Sequence, residues 1–208
     1  MEYRVIDGDN RVVGYFRPVD LLNQASKKKK VALVIGHDES KRGAYGNLGI
    51  SEWKFNRELV YDELANGITN VEYQIFLRNP TTKGYTNQMI ELHKEIDAWG
   101  ANYAIEFHFN GSSNEDVNGH EILYYSANGK AMAEKLDKAF DKYLNNNDRN
   151  LKQINTAKEN GYQFLYRGNS TCIIAEPFFG EHQDLYGKDG EMRMFLVQAY
   201  VEFINGLA

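Results

Sequence analysis

VALVIGHDESKRGAYGNLGISE, residues 31–52, decides the fold. Its first part, VALVIG, is a continuous apolar run, as expected of a strand whose sheet is covered on both faces. The run ends in Gly36 and His37, crosses a loop carrying Gly43, Gly46 and Gly49, and reaches Ser51 and Glu52. Ser51 is placed to cap a helix running to about Asn66, with Gly67 as its stop signal. A buried strand, a glycine-spaced loop and a capped helix open an α/β unit.

Outward from this unit the pattern repeats. VEYQIFL predicts a second strand, and the next helix, over about 86–98, carries Met89, Leu92, Ile96 and Trp99 on one face. NYAIEFHF and HEILYYS predict a third and a fourth strand. Residues 129–145 read as an amphipathic helix striped by Met132, Leu136, Phe140 and Tyr143. YQFLYR reads as a short fifth strand, TCIIAE as a sixth, and EMRMFLVQAYVEFI as a strong final helix. The expected architecture is α/β, a mostly parallel, mixed, twisted sheet of about six strands with helices on both faces. Residues 1–29 stand apart from this main domain, 30–208. YRVID and RVVGYF read as a hairpin turning at Gly8-Asp9-Asn10, followed after Arg17 by a short helix or linker containing Pro18.

The 208 residues include 24 basic and 29 acidic side chains, a formal charge of -5. A mildly acidic chain lacks the basic face of a nucleic-acid binder, and the Lys27–Lys30 run reads as a solvated hinge. No stretch approaches the ~20 apolar residues of a membrane span, so no membrane insertion is expected. The single cysteine, Cys172, excludes an intrachain disulfide and, inside TCIIAE, reads as a buried structural thiol. MEYRVIDGDN is acidic and polar with no apolar core, so the expectation is synthesis in a cytoplasm without a signal peptide. Oligomeric state is not written in the sequence.

Functional groups of open α/β sheets gather past the carboxyl ends of their strands. His37 follows the first strand, His108 ends the third with Asn110 just beyond, and Glu176 ends the sixth. Glu52 begins the first helix. Two imidazoles and a carboxylate, with a fourth position left to water, form the usual ligand set of a catalytic zinc. A second carboxylate outside the coordination shell can then move protons. Each residue also has a structural reading: a strand-end histidine can be a hydrogen-bonded scaffold residue, and Glu52 a first-turn helix acid. Glu176, between CIIA and PFF, is a partly buried carboxylate that needs a partner or a task. His93, beside a helix stripe, reads as structural; His120 as a rim residue opening a strand; His182 as a loop residue that could line the cleft.

In this order, the segments resemble the zinc-dependent N-acetylmuramoyl-L-alanine amidases, in the α/β class of bacterial cell-separation amidases and phage endolysins. The likeness runs from about Val31 to the C-terminus. GHDESKRGAYGNLGISE is similar to the first metal segment of that family, QIFLRN to its strand ending in arginine (here Arg78), AIEFHFNG to its third metal segment, and the stretch leading through TCIIAEPFF to the segment of its catalytic glutamate. Asp38-Glu39 stand where a further glycine is usual, and Glu106 where a small residue is commoner. The resemblance implies that His37, Glu52 and His108 hold one Zn²⁺. Glu176 would be the catalytic proton carrier, and Asn110 would help bind the stem peptide. It implies a peptidoglycan substrate, cut at the amide between the lactyl group of N-acetylmuramic acid and L-alanine. A phage or prophage endolysin, released from the cytoplasm to act on the wall, is the expected setting. Two other readings stay open: a zinc peptidase cutting within the stem peptide, and a non-catalytic wall-binding module.

Overall fold

The computed structural model describes residues 3–6, 12–16, 28–47, 49–181 and 190–208. The hairpin turn at 8–10, the segment around Pro18, and His182 lie outside the described residues. Strands β1 (Tyr3–Ile6) and β2 (Val12–Phe16) pair antiparallel as a two-stranded sheet.

The main sheet has six strands. They are β3 (Lys30–Ile35), β4 (Glu72–Phe76), β5 (Tyr103–Phe107), β6 (His120–Tyr124), β7 (Asp148–Gln153) and β8 (Thr171–Glu176). Their spatial order is β4-β3-β5-β8-β6-β7. β4, β3, β5 and β8 run parallel, whereas β6 pairs antiparallel to β8 and carries β7 with it. The sheet is therefore mixed, as the sequence predicts.

Helices cover both faces because the strands are apolar on both. Val31, Leu33 and Ile35 face one core, together with α1 (Glu52–Glu58), its π-helical continuation Leu59–Leu64, α3 (Ala127–Tyr143) and α5 (Gly190–Asn205). Ala32 and Val34 face the other, with α2 (Tyr85–Trp99) and α4 (Tyr162–Tyr166). This is the period-two alternation of a pleated strand. The expected stripes hold: Met89, Leu92 and Ile96 of α2 and Met132, Leu136 and Phe140 of α3 are buried. Cys172 is buried and free, as expected. Among the described residues, no helix is long and apolar enough to cross a membrane.

Two segments depart from expectation. YQFLYR is not a strand but α4. Gly161 starts it with φ 82°, and Tyr162 and Tyr166, one turn apart, stack with ring centroids 5.0 Å apart. That contact needs helical spacing. The strand that does complete the sheet is DRNLKQ, a polar run that the hydrophobic pattern passes over. It lies at the sheet edge and is held by backbone pairing to β6. His120 is also not a rim residue: it is fully buried.

Leu33 is 0 % exposed at the sheet centre, and Leu77, just past β4, is 41 % exposed. Leu33→Ala is expected to cost about 2–5 kcal/mol and Leu77→Ala no more than about 0.5 kcal/mol, read from urea denaturation midpoints.

Candidate active site

The parallel strands β3, β5 and β8 bring their carboxyl ends to one edge of the sheet, and the reversed β6 brings its amino end to the same edge. His37 lies just past β3 and His108 just past β5, while Glu176 closes β8 opposite Glu121 of β6. Ladder-like bonds continue beyond the strands: Gly36 N donates to Phe107 O and His108 N to Ala175 O, both at 3.0 Å. His108 is thus tied directly to the sheet, and His37 through the residue before it.

Glu52 is carried back to them by the glycine-spaced loop. Ser51 caps α1, accepting from Lys54 N, as its sequence position predicts. Glu52 N donates to Ala44 O and Trp53 N to Arg42 O, which folds the loop onto the helix start. The Glu52 carboxylate, 3 % exposed, has one oxygen 2.7 Å from His108 Nδ1 and the other 2.9 Å from His37 Nε2. It also accepts from Phe109 N and Ala44 N. Donor atoms from His37, Glu52 and His108 all lie within 4.8 Å of one another. One metal ion can be held by such a set.

Local backbone choices make the room. A Cβ on Gly43 would come within 2.6 Å of His37 Nε2 and collide with the Glu52 carboxylate. Gly43 also has φ 73°, a conformation that favours glycine. His37 itself has φ 64°, uncommon for a side-chain-bearing residue and a mark of local strain at the site. Asp38, 2 % exposed, accepts from Ser40 N, Ser40 Oγ, Lys41 N and Gln88 Nε2. It thereby braces the loop that follows His37. Burial opposes its charge, yet these bonds hold its pKa below the usual value.

The electrostatics favour a cation. Burial works against a charge on His108, but Glu106 and Glu52 outweigh it and push its pKa up to about 10. Burial likewise opposes Glu52, and the two imidazoles still pull it well below the ordinary carboxylate range. Glu176 goes the other way. Burial, reinforced by Glu52, Glu121 and Glu106 and opposed by His108, pushes it up to about 8. Its Oε2 is buried without a hydrogen-bond partner. All four titratable residues singled out in the sequence, with Asn110, line one cleft of about 390 Å³.

Sequence reasoning named Arg78 only as a motif position and left Glu106 without a role. The structure joins them. Arg78 Nε and Nη2 both donate to Glu106 Oε1 in the cleft wall, with Glu106 0 % exposed. Glu106 Oε2 lies 3.4 Å from His108 Nε2. The chain Arg78–Glu106–His108 fixes the imidazole from behind, the kind of outer partner that orients metal-binding histidines. Among the described residues, His93 and His120 do not line the cleft: His93 is buried against Phe164, with Nε2 2.9 Å from its carbonyl, in the structural role expected of it. Removing Arg78 would leave the buried Glu106 charge without its guanidinium partner, facing His108 alone. Arg78→Met is expected to cost about 3–5 kcal/mol, and the Arg78→Met/Glu106→Gln pair to recover most of it, because no bare charge then remains. Denaturant titration of the three proteins checks this.

The chain was compared with known proteins. Residues 31–198 match the family described as N-acetylmuramoyl-L-alanine amidase. No curated protein matches the chain. Among solved structures, the catalytic domain of CwlV, an N-acetylmuramoyl-L-alanine amidase from Bacillus (Paenibacillus) polymyxa var. colistinus, is similar. It shows 19% identity and a TM-score of 0.69, with 86% of this chain and 97% of that one covered. The catalytic domain of the CD27L endolysin targeting Clostridia difficile gives 21% identity and a TM-score of 0.68 over the same shares, 86% and 97%. An N-acetylmuramoyl-L-alanine amidase from Clostridium difficile 630 gives 17% and 0.70, covering 87% of this chain and 97% of its own. At these identities the solved structures speak to the fold. The family match spans most of the main sheet and every residue of the cleft described above, and with it the chain belongs to the N-acetylmuramoyl-L-alanine amidases, hydrolases of the cell-wall polymer peptidoglycan.

Proposed function

We propose that the cleft is a zinc centre that hydrolyses the amide between the lactyl group of N-acetylmuramic acid and L-alanine. His37, Glu52 and His108 hold the single ion, Glu176 moves the proton, and Asn110 helps bind the stem peptide. One observation carries the reading: the Glu52 carboxylate is shared between two imidazoles in a cleft that also presents the unpaired Oε2 of Glu176. When bound, zinc supplies Lewis-acid polarisation of the amide carbonyl and lowers the pKa of a water.

The chain's own residues supply the rest. Glu176 Oε2 accepts a proton from the attacking water. The same carboxyl returns it to the amine nitrogen of the departing L-alanine. A carboxyl pushed upward by burial is basic enough to hold that proton between the two steps near neutral pH. Arg78 and Glu106 keep His108 in place while this happens. Asn110, whose backbone bridges to Phe179, lines the same cleft, which supports a role in binding the peptide.

The same proposal extends to a lytic role. Such a role is in the name of the CD27L endolysin, whose catalytic domain shares the fold. The enzyme would be made in the cytoplasm and act on the wall after release.

Digestion of purified sacculi by the protein as isolated, after chelation, and after zinc is restored tests the chemistry. Stem peptides beginning with L-alanine, beside intact glycan, are expected by mass spectrometry, lost on chelation and recovered with zinc. Glu176→Gln should keep its zinc and lose about 100-fold or more in rate, while His108→Ala should lose zinc and activity together. Near-normal turnover by Glu176→Gln would sink the proton-carrier role. Zinc-dependent release of shorter peptides would move the scissile bond into the stem.

A further inference from the structure

A second cluster lies on the other face of the sheet from the cleft. His120 opens β6 and is 0 % exposed. Its Nδ1 is 2.8 Å from Asn146 Oδ1, and Asn146 Nδ2 donates to Pro177 O, which sets the orientation of the amide. An amide oxygen only accepts, so Nδ1 carries the ring proton and Nε2 of the neutral ring presents a lone pair. That Nε2 is buried and has no hydrogen-bond partner.

What Nε2 faces is negative. Asp137 Oδ1 lies 3.5 Å away, Asp141 Oδ1 3.6 Å and Asp148 Oδ1 3.9 Å. Asp137 Oδ1 is itself buried without a partner, and Asp148 Oδ1 accepts from Asn150 N. His120, Asp137 and Asp148 converge with donor atoms all within 4.8 Å of one another, and Asp141 stands at their solvent side, so the cluster needs either a proton or a metal ion to satisfy it. The fold builds it deliberately from three elements: Asp137 and Asp141 share one face of α3, and Asp148 of β7 pairs in register with His120 of β6. Phe140, on the same helix, packs edge-on against the imidazole at 5.4 Å and fixes the ring plane.

The spacing suits a shared ion. Two ligands on a tetrahedral metal, each about 2.0–2.2 Å from it, stand about 3.3–3.6 Å apart. Two of the three N···O separations match, and the third side chain, 41 % exposed, needs to shift by only a few tenths of an ångström. An imidazole beside carboxylates suits zinc or manganese better than magnesium or calcium. The Asn146 contact is the outer partner that a ligating histidine usually has. Solvent reaches the cluster past Asp141, 54 % exposed.

We propose that His120, Asp137 and Asp148, with Asp141 at the solvent side, bind a divalent transition-metal ion of the zinc or manganese class, which clamps β6, β7 and α3 together. This site is separate from the cleft and does not depend on the function proposed for it. The test uses the full chain, stripped of metal by chelation and titrated with Zn²⁺ and, separately, with Mn²⁺. Elemental analysis after equilibrium dialysis reads the stoichiometry. In a His37→Ala/His108→Ala background, which removes the cleft site, one bound equivalent should remain and should raise Tm. Asp137→Asn/Asp148→Asn in that background should abolish both effects. Should that variant not fold, Asp141→Asn/Asp148→Asn, at more exposed positions, is expected to weaken binding at least tenfold. A folded His37→Ala/His108→Ala protein that binds neither metal would overturn the proposal and leave a proton on His120 as the cation. Retention of the equivalent in both aspartate variants would overturn it equally.

Discussion

The Glu52 carboxylate ties together three parts of the chain that are far apart in sequence. One oxygen meets His108 and Phe109 N at the end of β5, and the other meets His37 past β3 and Ala44 N in the loop. A carboxylate 3 % exposed is tolerated only where such partners are present. Everything around it follows from that need. The loop must turn back, which requires Gly43. The helix must start where Glu52 points inward, which Ser51 secures as its cap. The cleft exists because one buried charge has to be satisfied from several directions at once.

Much of this was legible in the residues. The strand VALVIG, the capped helix after Gly49 and the stripes of α2 and α3 obey rules that act over a few residues, and the structure follows them. His37, Glu52, His108 and Glu176 were legible as a group because strand ends converge in an α/β sheet. What escaped was governed by tertiary contact. β7 is a strand because β6 offers it backbone partners, and DRNLKQ carries no apolar pattern to announce that. YQFLYR is helical because stacking of Tyr162 on Tyr166 and burial of Phe164 outweigh its strand-like composition. The Arg78–Glu106 pair joins the segment after β4 to β5 across the intervening β3, and neither residue has a sequence signal for the other.

Two departures from the family's usual pattern find local explanations. Asp38, in place of a further glycine, accepts four hydrogen bonds and makes rigid a loop that glycine would leave free. Glu106, in place of a small residue, brings a charge into the wall but meets Arg78 on one oxygen and His108 on the other. Each substitution adds a cost of burial and a partner that offsets it, both within the reach of the same histidines.

The position of β8 carries a consequence for biosynthesis. It is the last strand of the main sheet to leave the ribosome, yet it sits between β5 and β6. Until it is made, β4-β3-β5 and β6-β7 are two fragments with unfilled edges and nothing to join them. Such non-local pairing is slow and comes late. Glu176 arrives on that same strand, so the carboxyl proposed to carry the proton and the closure of the sheet enter together. A chain still short of that strand would have neither a closed sheet nor, on the proposed role of Glu176, a group to move the proton.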